Sequence, residues 1–407
     1  MKPLETIVTL TRQKAPEVDQ WFDDQWQGLT PLPYFSCDIR HSQFKMGIVD
    51  TNLFPAGFNN LCKVFTQKTH DALTTYLNDN WPQAKTIALL GENHTRNKFY
   101  LQNLLRLQEL ISSTGRECLI TLPLDSWDAD QVTIPLAEDS KLTAFRPQST
   151  SGQLSLNDKI CDLILSNNDF TQGIPRDFQN LKTPICPDPR LGWHQRTKSA
   201  HFGILDQLIR KFCLHFNLEP WNFLADFTNA TQVNENQLDA VTSSVQTILN
   251  QTQNHYTQQD ISESPYVFIK NDSGTYGMGL VTVSQADEVL RLNRKSRQKL
   301  FSSKGGGQTE NFLIQEGIPT ADSYSGFPIE PVIYGIGKNP IGGFFRIHEG
   351  KNQFESLNSP GMSFSCLCLH KIDEPHESFF LRCEEKERLV NGAMFLARFA
   401  ALAAAME

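Results

Sequence analysis

The 407-residue chain is poor in the features that would place a protein in a membrane or on nucleic acid. No apolar run is long enough to suggest a bilayer span. The nearest, the Ala-rich stretch Met394–Ala405, is interrupted by Arg398 and reads as a packed helix. Positive charge is not in excess: 37 Lys and Arg stand against 45 Asp and Glu, a net charge of −8, and no basic stripe stands out. That balance argues against nucleic acid or an anionic membrane as the main partner and leaves small molecules, whose sites need only local charge. Self-association into a homo-oligomer is compatible with it. The opening MKPLETIVTLTRQK lacks the apolar core and cleavage site of a signal peptide, so a cytoplasmic location is expected. The nine cysteines are odd in number and scattered, which favours reduced thiols over a disulfide framework. Cys366-Leu-Cys368-Leu-His370 has the period of a strand with both sulfurs on one face, and zinc sites usually want two such pairs.

What is present is an ordinary globular composition, 39% hydrophobic and 20% charged, at a length that suits two or three fused lobes. The first half alternates strand and helix. Thr86–Leu90 is a short apolar run closed by Gly91; Tyr100 to Ile111 places apolar residues at helical spacing until Gly115; Glu117–Leu122 is the next strand. This is a βαβ unit, and it implies a parallel sheet. Ile160–Leu165 repeats the buried-strand pattern, and Ser199–His215 is an amphipathic helix. Between Asn229 and Ser264 the composition turns to Asn, Gln, Thr and Ser around the helical stripe Leu238, Val241, Val245, Ile248 and Leu249. A boundary is expected near Ser262, dividing an N-terminal α/β region, 1–262, from an antiparallel region, 263–407.

Two segments carry chemistry. The first, Tyr266–Val283, sets two β-rich runs around a loop with Gly274, Gly277 and Gly279, and its first run ends in Lys270. Glycines at this spacing let backbone N–H groups approach a polyphosphate, and the lysine adds charge beside it. A plain hairpin loop is the competing reading. No Gly-Lys-Ser/Thr follows, so it is not a Walker A loop, and a strand follows where a Rossmann motif needs a helix. Downstream come the strand Phe312–Glu316 closed by Gly317, a hairpin of Glu330–Tyr334 and Gly342–His348 through Lys338-Asn-Pro340, and the polar turn Ser356–Gly361. The second segment, Asp38–Leu61, gathers Arg40, Lys45, Asp50, Asn52 and Asn59 around an apolar loop punctuated by Pro55 and Gly57. A substrate with an amino-acid head group needs such a mixture; a satisfied polar turn would look similar.

The downstream series resembles the nucleotide-binding half of ATP-grasp ligases. The resemblance implies an α/β (α+β) ATP-grasp-like fold in which Lys270 and the glycine flap meet ATP phosphates. Gln315, Glu316 and Gly317 then form the hinge that holds the nucleotide base and ribose. Arg346 becomes the group that neutralises the transferred phosphoryl, with a surface salt bridge as its plainer reading. Many ATP-grasp enzymes end in Glu-x-Asn, whereas this chain reads Ser356-Leu357-Asn358. Glu330, Glu349 and Glu355 compete for the missing carboxylate, and Glu330 with Asn358 is favoured for Mg2+. Together, Asp50–Asn60, Lys270–Gly279, Gly192–Ser199 and Leu357–Met362 resemble the proteobacterial glutamate–cysteine ligase family, from about Asp38 to Met362. That resemblance implies ATP-dependent ligation of the glutamate γ-carboxylate, through an acyl phosphate, to cysteine. Arg40 and Lys45 are then candidates for the glutamate carboxylates, and Asp50, Asn52 and Asn59 for its ammonium or for support. Arg96, after the strand end in the βαβ unit, and Arg196 and Lys198, at a helix start, are further anion contacts. Another ATP-grasp ligase with a different amino-acid pair, or a non-catalytic nucleotide sensor, are the alternatives.

Overall fold

The computed structural model describes residues 2–137, 140–234, 238–274, 280–301, 310–367 and 383–407. Among these residues the chain is a mixed α/β protein built on four sheets, two of which face the cleft described below.

The parallel sheet runs in the order Ile185–Cys186, Leu163–Ser166, Thr86–Leu90, Glu117–Thr121, Ser140–Phe145 and Gln131–Ala137, the last strand antiparallel to its neighbour. The expected βαβ unit forms its middle. Its helix spans Lys98–Ser113, begins where Asn97 Oδ1 accepts from the Tyr100 N–H at 3.2 Å, and ends before Gly115, whose φ of +83° suits glycine. Leu101, Leu104, Leu107, Leu110 and Ile111 are buried along it. Of the run Ile160–Leu165, Leu163–Ser166 joins this sheet, while exposed Ile160 pairs in a small three-stranded sheet nearby.

A second sheet is antiparallel, in the order Ser363–Cys366, Asn339–Ile347, Phe327–Ile336, Phe35–His41 and Met46–Asn52. The expected hairpin Glu330–His348 lies at its centre. The polar segment after Asp38, expected as a loop, supplies two of its strands. The physical reason is period-two alternation: Cys37 and Ile39 enter the core while Asp38 and Arg40 emerge on the other face. Helices Lys63–Asn80 and Cys383–Ala405 pack on this sheet. The latter is long and apolar enough to cross a membrane, but 72% of its apolar window is buried inside the structure, as a core helix is. It meets helices Ala15–Gln25 and Lys198–Phe216 through Trp21, Phe22, Phe212, Phe395 and Phe399.

A third sheet, ordered Phe227–Ala230, Phe312–Glu316, Val267–Asn271 and Leu280–Val283, is antiparallel and carries its own core. Helices Asp239–Gln258 and Arg294–Phe301 cover it. The boundary expected at 262 therefore needs correction. Residues on both its sides pair in this sheet, as Phe227–Ala230 does with Phe312–Glu316, and in the second sheet, as Phe35–Asp38 does with Val332–Gly335. Apolar stripes on Asp239–Gln258 and on the third-sheet strands must bury against each other, so the polar composition of 229–264 marks a solvated helix face rather than a lobe edge.

Candidate active site

Alternation decides which side chains face the cleft between the second and third sheets. Val267 and Ile269 enter the third sheet's core, so Phe268 and Lys270 emerge opposite. Leu313 and Gln315 stand beside them on the paired strand. From the second sheet come Asp38 and Arg40, and Glu330, which sits directly across from Arg346. Asp50, Lys198, Asn271, Gly274, Ser356 and Asn358 complete the lining, with Val49, Phe268 and Leu280 as an apolar wall. The cleft encloses about 580 Å³, part of it open to solvent.

The charges are interlocked. Arg40 Nε donates to Glu330 Oε2 at 3.1 Å, and its other nitrogens reach the Ile318 and Glu355 carbonyls. Arg346 donates to both Asp38 oxygens, at 2.7 and 3.3 Å, and to Glu330. Burial would push the Glu330 carboxyl up, but the Arg40 and Arg346 guanidiniums hold it below the ordinary range. Arg346 itself is driven above its usual value because Asp38 and Glu330 outweigh burial. On the far wall Lys198 pairs with Asp50; burial notwithstanding, Lys198 and Lys270 pull that carboxyl down to about 2. Lys270 Nζ donates to the Val49 carbonyl at 2.7 Å and to Gln315 Oε1 at 2.6 Å, and burial lowers it to about 8. Val49 can accept because the hairpin register passes over it between Asp38 and Ile39.

The anticipated residues thus divide. Arg40, Asp50, Lys198, Lys270, Gly274, Glu330 and Asn358 line one cleft, and Arg346 reaches its carboxylates. Gly277 and Gly279 lie outside the described residues. Lys45, expected at a substrate carboxylate, is instead fully buried, paired with Glu316 and 3.9 Å over the Trp221 ring. Glu316 is correspondingly turned to Lys45 and to the Asp226 N–H, and Gln315 to Lys270. Gly317 is required where it stands, because a Cβ would overlap the Tyr266 ring. Asn52 accepts from the Phe54 N–H at 2.9 Å, and Asn59 lies in the short helical turn Phe58–Asn60; neither lines the cleft. Arg96 is exposed on the loop after Leu90, in a separate surface hollow. Arg196 is buried against Glu407. Of the competing carboxylates, Glu355 is held by Lys351 and the Asn352 N–H, and Glu349 is exposed.

Sequence reasoning passed over Asp38, Asn271, Asp272 and Glu407. Asp38 was detectable, two residues from Arg40 and so on its face of a strand. Asp272, which accepts from the Ser199 N–H at 2.8 Å and its hydroxyl at 2.7 Å, ties the helix bearing Lys198 to the glycine-loop strand. That contact spans distant sequence and left no local signal.

Guanidinium and ammonium groups interleaved with carboxylates beside an apolar wall define an enzyme site for anionic small molecules, working by positioning and charge neutralisation. Residues 9–407 match the family model described as glutamate–cysteine ligase, and the chain belongs to that family. Its activity is the joining of glutamate to cysteine, and the family uses ATP. The structure is similar to a crystal structure from Methylobacillus flagellatus KT, provisionally named a gamma-glutamylcysteine synthetase, with TM-score 0.87 and 29% identity over 99% of this chain and 95% of that one. A D-alanyl-alanine synthetase A from Vibrio cholerae O1 biovar eltor superposes only loosely, with TM-score 0.35 and 12% identity over 77% of this chain and 81% of that one. No curated protein matches the chain.

Proposed function

We propose that the cleft works in the manner of an ATP-grasp ligase. ATP would lie between the two antiparallel sheets, and glutamate γ-carboxylate would attack its terminal phosphorus, releasing ADP and leaving an acyl phosphate. The cysteine amine would then attack the acyl carbon, expel phosphate and lose a proton, giving γ-glutamylcysteine. The observation that carries this reading is the meeting of Lys270, Asn271 and Gly274, at the mouth of the glycine loop, with Arg40 and Glu330 of the opposite sheet.

In this reading Lys270 and the loop of Gly274, Gly277 and Gly279 hold phosphate oxygens, and the segment Gln315–Gly317 passes behind the nucleotide. Arg346 and Arg40 offset the charge that gathers on the transferred phosphoryl group. Lys198 and Asp50 present a cation and an anion to an amino-acid head group. No protein nucleophile is needed, because the carboxylate substrate and the amine supply both attacking atoms. The oxygen donors Asp38, Glu330 and Asn358 are of the hard type that magnesium takes, and phosphates can supply its remaining ligands. Glu330 and Asn358 are assigned to it; bound there, the ion would neutralise phosphate charge.

The decisive assay is turnover with glutamate labelled with 18O in its γ-carboxylate. One labelled oxygen should appear in the released phosphate, with release requiring magnesium, glutamate and cysteine together. Unlabelled phosphate, or AMP with pyrophosphate, would refute the acyl-phosphate route.

A further inference from the structure

Glu407 stands outside the cleft, yet one residue ties it to the wall carrying Lys198 and Asp50. Its side chain is 7% exposed and accepts from Arg196 Nε at 2.6 Å and Nη2 at 3.0 Å, with His201 Nδ1 at 2.5 Å. Burial of this carboxyl is outweighed by Arg196 and His201, which bring it down to about 2, so it stays charged. The remaining Arg196 nitrogen donates to the Thr51 carbonyl at 3.1 Å, one residue from Asp50. Arg196 and Lys198 both lie 4.8 Å from the Trp193 ring. Against burial, three cations lower the Asp50 carboxyl, Lys198 first, then Lys270 and, least, Arg196. Lys198 pairs with it at the cleft, while Arg196, which already strengthens its acidity, is turned away onto Glu407. A buried guanidinium left without its carboxylate is costly, and Asp50, next in the chain to the Thr51 carbonyl that Arg196 already holds, is a carboxylate close at hand.

We propose that Glu407 is a positioning residue for the ligase reaction: by holding Arg196 it reserves Asp50 for Lys198, and so sets the affinity for the amino-acid substrate that meets that wall. This rests on the reading of Lys198 and Asp50 as amino-acid contacts. A role in bare stability would lower the apparent kcat through loss of active enzyme and leave every KM unchanged; reserving Asp50 changes one amino-acid KM.

The test is steady-state kinetics of Glu407→Gln, Glu407→Asp, Lys198→Met and the double variant Arg196→Met/Glu407→Gln. Glu407→Gln should raise the KM of glutamate or of cysteine about tenfold while kcat and the ATP KM stay within about twofold. Glu407→Asp, which keeps the charge, should recover part of the loss. Removing the stray cation as well should bring the KM of the double variant back to within about threefold of the unaltered enzyme. A double variant worse than the single, or an unchanged amino-acid KM in Glu407→Gln, overturns the proposal. Should Glu407→Gln fail to fold, Glu407→Asp and the double variant decide together: an amino-acid KM raised in the first and restored in the second supports the proposal, and any other pattern overturns it. Lys198→Met separates the underlying reading: if it leaves both amino-acid KMs unchanged, that reading of the wall fails. If it raises one while Glu407→Gln does not, only the role of Glu407 falls.

Discussion

Replacing Lys45 with methionine separates a structural role from the substrate contact that its sequence neighbourhood suggests. Lys45 and Glu316 are both 0% exposed and paired with each other, and the ammonium also lies 3.9 Å over the Trp221 ring. Methionine keeps most of the volume and removes the charge. Glu316 would then rely on the Asp226 N–H, 3.0 Å from Oε2, in a site where burial already raises its pKa. Breaking one side of a buried pair costs about 3–5 kcal/mol, because the remaining charge stays desolvated. The same reasoning sets a pH dependence. A carboxyl whose folded pKa is raised contributes stability at low pH, below its unfolded value of about 4.3, and loses it as pH rises through the folded value. The Lys45→Met defect should therefore be larger at pH 8 than at pH 5 in urea unfolding. Adding Glu316→Gln should recover most of it. A Lys45→Met protein as stable as the original, but with a raised glutamate KM, would refute this assignment and restore the substrate role.

Lys270, lowered to about 8 by burial, should give kcat/KM for ATP a falling limb near pH 8, and Lys270→Arg should abolish that limb; a profile unchanged by the substitution would remove Lys270 from the phosphate site. Gly317→Ala should lower stability by about 1–3 kcal/mol, because its methyl must displace the Tyr266 ring, and Tyr266→Leu in the same chain should return part of it in urea unfolding.

Local pattern was enough to read the βαβ unit, the helix expected over Ser199–His215, the strand Phe312–Glu316 and the hairpin around Lys338, because the helices bury one face at a period their own residues display and the strands are short, mainly apolar runs buried on both faces. Residue chemistry singled out Arg40, Asp50, Lys198, Lys270, Glu330 and Asn358, which the structure gathers on one cleft, and on equal grounds Lys45, Asn52, Asn59, Arg96 and Arg196, which lie elsewhere. The direction of each side chain was not legible. Lys45 and Arg40 lie five residues apart on one hairpin, yet Arg40 enters the cleft and Lys45 is sealed against Glu316. Which charges pair was likewise decided only in three dimensions, as with Arg196 and Glu407, 211 residues apart. The boundary expected at 262 missed because strand pairing joins distant segments, Phe35–His41 to Phe327–Ile336 and Phe227–Ala230 to Phe312–Glu316. Periodicity reports what a segment must bury. The partner that buries it, and the ion that neutralises a charge once water is gone, are set by the tertiary packing.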